Sequence, residues 1–139
     1  MTLYRRFESA APNRRGARPG VFALANGLAE EDRLSAADFT WWQDANARAH
    51  LSYVDPTTVS PECYDIAINP GARSWFTESA GDLIEMTHTY LQLLDRYSVP
   101  WVELRTAHPG RVTYEDEVQL VAVPLQYPED WAFRTDPHR

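Results

Sequence analysis

The segment of residues 112–124 reads VTYEDEVQLVAVP and is the most strand-like part of the chain, yet it contains three consecutive acids, Glu115, Asp116 and Glu117. In a single unbroken strand, Asp116 would share the apolar face with Tyr114 and Val118. A carboxylate buried there without a partner costs several kcal/mol. A loop over residues 115–117 avoids that burial, because Tyr114 then lies opposite Val118 across a strand pair. The segment therefore predicts two antiparallel strands joined by an acidic bend.

The residues before this segment extend the predicted sheet. Residues 101–107 (WVELRTA) alternate between apolar and polar, and residues 108–111 (HPGR) place Pro and Gly at the centre of a type II turn. Residues 2–7 (TLYRRF) alternate in a similar way. We therefore predict a C-terminal antiparallel β-meander of three strands, with the N-terminal strand as a candidate addition at an edge.

Two stretches in the first half favour helices. Residues 21–32 are rich in alanine and end in three acids, which favours a helix of about two to three turns. Ser35 is typical of an N-cap, and Asp38 is spaced to complete a short capping box. A second helix should therefore begin at Ala36 and end before Asp55 and Pro56.

A third and longer helix is predicted from about Glu78 until Pro100 ends it. On a 3.6-residue wheel, one face collects the side chains of Ala80, Leu83, Ile84, Thr87, Tyr90, Leu91 and Leu94. Residues 69–71 (NPG) also predict a helix start, with Pro70 at the first helical position.

These elements predict one α+β domain over residues 1–139, because no linker divides the chain and its length is enough for one sizeable core. Helices occupy the first two thirds and the β-meander follows. Residues 1–20 form an Arg-rich strand and loop, and residues 128–139 form a tail that lays Trp131 and Phe133 on the domain.

Charge limits the classes of partner. The chain has a net charge of −7, and its 13 basic residues are all Arg, which fits a GC-rich coding sequence such as a bacterial one. Residues 1–20 hold five Arg against the single acid Glu8, while the rest of the chain is acidic. General nucleic-acid binding needs a basic stripe across the fold, so we expect no nucleic-acid partner.

No apolar run approaches the roughly 20 residues that cross a bilayer, and the N-terminus lacks a signal-peptide core. We expect a soluble, cytoplasmic protein.

Glu115 and Glu117 are the candidate catalytic residues, as general bases. A Glu-x-Glu on a strand edge, with an Arg such as Arg5 on the N-terminal strand, distantly resembles the sites of ADP-ribosyltransferases. The resemblance implies that Glu orients the nicotinamide ribose and that Arg holds the dinucleotide, with residues 57–60 (TTVS) as the nearest counterpart of the family's Ser-Thr-Ser strand. The alternative is an acidic hairpin tip without a chemical role.

The candidate ligand-binding residues are Arg5, Arg6, Arg14, Arg15, Arg18 and Trp41. The arginines could hold a phosphate or carboxylate through paired donors, and Trp41 could line a pocket or a subunit contact. Alternatively the arginines are solvated or paired with acids, and Trp41 is a partly exposed core residue.

The lone Cys63 permits no internal disulfide. The histidine spacings and glycines match no metal or nucleotide motif, so we predict neither metal nor cofactor.

Three functions remain open. The first is an acidic protein that acts by binding a partner protein, as an adaptor or an immunity- or antitoxin-like protein does. The second is a small enzyme or ligand-binding protein that holds an anionic metabolite or nucleotide between the N-terminal arginines and an aromatic pocket. The third is a homodimer whose exposed aromatic residues and strand edge serve self-association.

Overall fold

Four helices and five strands make up the described part of the chain, residues 2–125, in a computed structural model. The strands are β1 (Tyr4–Ser9), β2 (Arg73–Phe76), β3 (Trp101–Thr106), β4 (Arg111–Glu115) and β5 (Gln119–Val123). The helices are α1 (Val21–Glu30), α2 (Ala36–Ser52), α3 (Pro56–Val59) and α4 (Gly81–Arg96). This order confirms the predicted α+β class. None of these helices is both long and apolar enough to span a membrane. The predicted tail of residues 128–139 lies outside the described residues.

The five strands form one antiparallel sheet in the order β3-β1-β2-β5-β4. The predicted hairpin between β4 and β5 is confirmed. Strand β3, however, lies at the far edge of the sheet and pairs with β1, so it is not a neighbour of β4 or β5 and the last three strands do not form the predicted meander. The N-terminal strand joins the sheet in its interior and not at its edge. Its residues Arg6, Phe7 and Glu8 are all buried, as expected of a strand that is covered on both faces.

The connection from β3 to β4 is not the predicted hairpin turn, and Gly110 is closely packed within it. Gly110 has φ of +127°, and a Cβ built there would lie 2.0 Å from the carbonyl oxygen of Val123. The backbone at Gly110 therefore packs directly against the end of β5, an approach that only glycine permits. This close contact leads the chain into β4 beside β5.

Apolar side chains pack on both faces of the sheet. On one face, Phe7 and Phe76 pack against the helices. On the other, Trp75, Leu104 and Leu120 form a second cluster. The predicted apolar face of α4 is confirmed, because each of its seven residues is buried. Full burial of such a side chain stabilises the fold by about 1.5–3 kcal/mol.

Residues 69–71 do not start a helix as predicted but form the turn into β2. Gly71 has φ of +76°, and Asn69 is buried with both ends of its side chain engaged. Its Nδ2 donates to the carbonyl of Glu62 at 2.7 Å, and its Oδ1 accepts from Arg111 at 3.0 Å. Asn69 is thus a tertiary bridge and not a helix cap.

The predicted start of α2 is confirmed, since the Asp38 backbone N–H donates to Ser35 Oγ at 3.1 Å. The Asp38 carboxylate does not complete a capping box. It accepts from Tyr97 Oη at 2.7 Å and from Arg96 at 2.9 Å. The hydrogen bond from Tyr97, followed by that from Arg96, lowers the pKa of Asp38. Its carboxylate therefore connects α2 to the end of α4.

Candidate functional site

The acidic bend forms the tip of the β4–β5 hairpin over residues 116–118, one residue later than predicted. Tyr114 lies opposite Val121 instead of Val118. An irregularity in the strand after Val112 shifts the register at this point. The bend itself is confirmed, and its register is corrected.

Asp116 accepts hydrogen bonds from several groups within this tip. Its carboxylate accepts from Tyr114 Oη at 2.7 Å and from the backbone N–H groups of Val118 and Gln119, both at 2.9 Å. Burial raises the pKa of Asp116, but the hydrogen bonds from Tyr114, Val118 and Gln119 outweigh it and lower the pKa overall. The hydrogen bond from Tyr114 to Asp116 also raises the pKa of Tyr114 to about 12. The central acid is therefore a turn-forming group.

Glu115 and Glu117, the candidate bases, are exposed side chains on either side of Asp116. Arg5 lies on β1, which is separated from β4 by β2 and β5. The TTV of the proposed Ser-Thr-Ser counterpart lies in helix α3 and not on a strand. The described residues therefore do not assemble the arrangement that the distant likeness to ADP-ribosyltransferases implied.

The five N-terminal arginines do not converge on one point. Arg5 Nε donates to Glu103 at 2.7 Å, Arg18 donates to the carbonyl of Ala10 at 2.7 Å, and Arg14 and Arg15 are exposed. Burial raises the pKa of Glu103, but hydrogen bonds from Arg105 and Arg5 lower it further than burial raises it.

Arg6 is buried and occupies a gap in the sheet between β1 and β2, which pair only at Arg5 and Phe76. Its three guanidinium nitrogens donate to Glu8 at 2.8 Å, to the carbonyl of Ser74 at 3.1 Å and to the carbonyl of Arg18 at 3.0 Å. The side chain thus satisfies the Ser74 carbonyl on β2, which has no backbone partner on β1, and connects it to the loop at Arg18. This is a structural role.

A cavity with a volume of about 480 Å³, the large cavity, lies between the helices and the sheet. Its aromatic and apolar walls come from α1, β2, α4 and the residues after α2, namely Phe22, Phe76, Tyr53, Tyr64, Leu83 and Met86. A smaller cavity of about 260 Å³ at the gap between β1 and β2 shares Phe22, Tyr64, Ser74 and Phe76 with it. Arg5, Arg6 and Arg73 line the smaller cavity, so the aromatic pocket and two of the candidate arginines are neighbours.

Two asparagines line the large cavity and are held by hydrogen bonds. Asn26 Oδ1 accepts from Trp42 Nε1 at 3.0 Å and from Asn46 Nδ2 at 3.2 Å. Asn46 Oδ1 in turn accepts from Tyr90 Oη at 2.5 Å. Burial raises the pKa of Tyr90 to about 12, so its hydroxyl keeps its proton and donates. The orientation of both amides is therefore fixed.

Beside the cavity, the segment 51–68 exposes large apolar side chains, which are Leu51, Val54, Val59, Tyr64, Ile66 and Ile68. It comprises the end of α2, helix α3 and the turns that follow. Leu51 is 90% exposed and Ile66 is 81% exposed. Side chains of this type are more often buried, so their concentration in one segment makes it the candidate for an interaction surface.

The remaining candidates form no reactive cluster. Trp41 packs edge-on against Tyr90 with ring centroids 5.2 Å apart and is partly buried. Cys63 is buried, and burial raises the pKa of its thiol. Among residues 2–125, no group of three or more His, Cys, Asp and Glu is arranged to hold a metal ion.

Comparison with protein-family models, with curated proteins and with solved structures gave no match for this chain. The candidate sites therefore rest on geometry alone. Sequence reasoning overlooked Asn26 and the apolar segment 51–68. A polar residue in the middle of the apolar helix α1 was the available signal for Asn26.

Proposed function

We propose that this protein binds a basic partner protein through the segment 51–68, as an adaptor or an immunity- or antitoxin-like protein does, in the cytoplasm. The supporting observation is that the exposed apolar side chains are concentrated in this segment. Ten large apolar residues are exposed in the described chain, and six of them lie in these 18 residues. A partner that covered them would remove apolar surface from water, which contributes about 25 cal/mol of binding free energy per Å² of apolar area.

The charge of the segment favours a basic partner. Residues 49–72 contain Asp55, Glu62 and Asp65 and no Arg or Lys. A hydrogen bond from the Thr57 hydroxyl, followed by one from its backbone N–H, lowers the pKa of Asp55, so its carboxylate is ionised at neutral pH. Two copies of such a surface repel each other, which supports a different, positively charged partner over self-association.

The arginines support the anion-binding alternative less well. Arg5, Arg6 and Arg18 each donate to an oxygen atom of the same chain. An anion that bound to them would have to compete with Glu103 and Glu8, which already neutralise part of their charge.

Site-specific photo-cross-linking in the cells that make the protein tests the proposal. A p-benzoylphenylalanine at Leu51 or at Ile66 should give the same partner adduct, identified by mass spectrometry. The same group at Gln92, an exposed position on α4, is the matched control and should give none.

Quantitative binding to the purified partner completes the test. Leu51→Ser and Ile66→Ser should each weaken binding about tenfold or more without changing the melting temperature, because both side chains are exposed. Raising the salt concentration should weaken binding further, since the charges are solvent-exposed. Equal adducts from Gln92, a second copy of this chain as the adduct, or unchanged binding of both Ser variants would contradict the proposal.

A further inference from the structure

The large cavity has the size and walls of a small-molecule site. Its volume of about 480 Å³ lies within the range of about 300–1,000 Å³ that is common for ligand pockets. Phe22 and Phe76 meet in it with ring centroids 6.4 Å apart and an interplanar angle of 71°. Aromatic walls favour a planar aromatic molecule, which can stack or pack edge-on against them.

The hydrogen-bond network gives the cavity one directed donor. An indole N–H can only donate, so the atom of Asn26 that Trp42 contacts is the oxygen, and the amide nitrogen points the other way. Asn26 Oδ1 is also occupied by Asn46. Asn26 Nδ2 donates to none of the residues in the described part of the chain, and Asn26 lines the cavity. The group that Asn26 offers to a ligand is thus an N–H donor.

The charge of the lining disfavours an anion. Within residues 2–125, no Arg or Lys lines the large cavity. Its charged side chain is Asp55, whose pKa is lowered by hydrogen bonds from Thr57 and whose carboxylate is therefore ionised. An anionic ligand would lose its hydration and meet the Asp55 carboxylate, and the one basic side chain that the described lining offers it, His50, already interacts with Asp55.

We propose that the large cavity binds an uncharged, planar aromatic molecule that carries a carbonyl or an equivalent acceptor, which accepts a hydrogen bond from Asn26 Nδ2. This site borders the proposed partner-binding surface and shares Val54, Asp55 and Tyr64 with it, but the ligand assignment does not rest on partner binding. The polar contact comes from α1, the aromatic walls come from Phe22 and Phe76, and the rim at Asp55 excludes anions.

Three naphthalenes of nearly equal shape test this assignment by titration in two-dimensional amide NMR spectra. 2-Acetylnaphthalene is neutral with a carbonyl, 2-naphthoate is its anionic counterpart, and 2-ethylnaphthalene lacks the acceptor. 2-Acetylnaphthalene should give saturable shifts at the Asn26 side-chain amide and at the backbone amides of Phe22 and Phe76. The other two should bind at least about fivefold more weakly.

Asn26→Asp tests the contribution of the Asn26 Nδ2 donor. It keeps an oxygen for Trp42 and Asn46 but replaces the donating nitrogen with a second oxygen, so affinity for 2-acetylnaphthalene should fall about tenfold or more. Asn13→Asp makes the same change in an exposed loop, where Asn13 Oδ1 accepts from backbone N–H groups, and should leave affinity unchanged. Should Asn26→Asp fail to fold, Ala49→Phe places a ring at the cavity lining and should abolish the shifts. Absence of saturable shifts, tighter binding of naphthoate, or full affinity in Asn26→Asp would overturn the proposal.

Discussion

Tyr114 donates its hydroxyl hydrogen to Asp116 Oδ2 at 2.7 Å, and this bond lies inside the hairpin tip, where Asp116 also accepts from two backbone N–H groups. An unbroken strand would have buried Asp116 without a partner. In the hairpin, its carboxylate instead accepts the hydrogen bonds that hold the turn. We expect Asp116→Ala to lower the free energy of unfolding by about 1–2 kcal/mol, because several hydrogen-bond donors lose their acceptor. Urea unfolding at neutral pH measures this. Glu117→Ala, at the exposed neighbour, is the control and should change stability by less than about 0.5 kcal/mol. Equal losses in the two variants would contradict the assignment.

The contribution of Asp116 should depend on pH. Its pKa is lower in the folded protein than the ordinary value of 3.8. Such a group contributes stability that is fully present above the unfolded pKa and is lost as pH falls through the folded pKa. The difference in unfolding free energy between the wild type and Asp116→Ala should therefore be constant from about pH 7 to about pH 5 and shrink below about pH 4. Urea titrations across this range measure the difference, and one that grew towards acid pH would show that the sign is wrong.

Two glycines should respond oppositely to alanine. At Gly110, φ is +127° and a Cβ would lie 2.0 Å from the Val123 carbonyl oxygen, so Gly110→Ala should cost more than about 3 kcal/mol or prevent folding. At Gly27, inside α1, a Cβ would meet no atom within 4 Å. Gly27→Ala should therefore stabilise the protein by about 0.5–1 kcal/mol through helix propensity. Thermal unfolding of both variants measures this. A tolerated alanine at position 110 would mean that β4 does not approach β5 as described.

The buried charges around Glu8 should be far more sensitive than the exposed ones. Glu8 is fully buried, with Arg6 at 2.8 Å and Arg73 at 3.9 Å from the same carboxylate oxygen. Glu8→Gln leaves those guanidinium groups in a buried site without its negative charge, so the free energy of unfolding should fall by about 3–5 kcal/mol. Arg105→Gln breaks an exposed pair with Glu103 and should cost less than about 1 kcal/mol. Chemical denaturation compares the two, and similar losses would argue against a structural role for Arg6.

The helices could be predicted from the sequence because their signals are local. Ser35 caps α2 through its own first turn, and the apolar face of α4 follows a 3.6-residue period. The strand order could not be predicted. It depends on β1 pairing with β3, whose residue Arg105 lies opposite Arg5, and on a close backbone contact at Gly110. Periodicity within a strand does not specify its partner.

The candidate sites were less predictable than the fold. Clusters of like residues, such as the acidic bend and the N-terminal arginines, stand out in a sequence, but Asp116 and Arg6 are used within the fold. The cavity is formed by single residues from separate elements, of which Asn26 and Asn46 are examples. Only tertiary structure brings such residues together, so no spacing rule could have identified them.

The position of β1 has a consequence for how the chain folds during synthesis. Both strands that flank β1 are made much later, since β2 begins at Arg73 and β3 at Trp101. Until then the strand leaves the ribosome with its hydrogen-bonding edges open. Such a high contact order slows folding and prolongs exposure of those edges to other nascent chains. Arg5 and Arg6 lie within this early strand, and we expect their charge to discourage edge-to-edge aggregation until its partners are made.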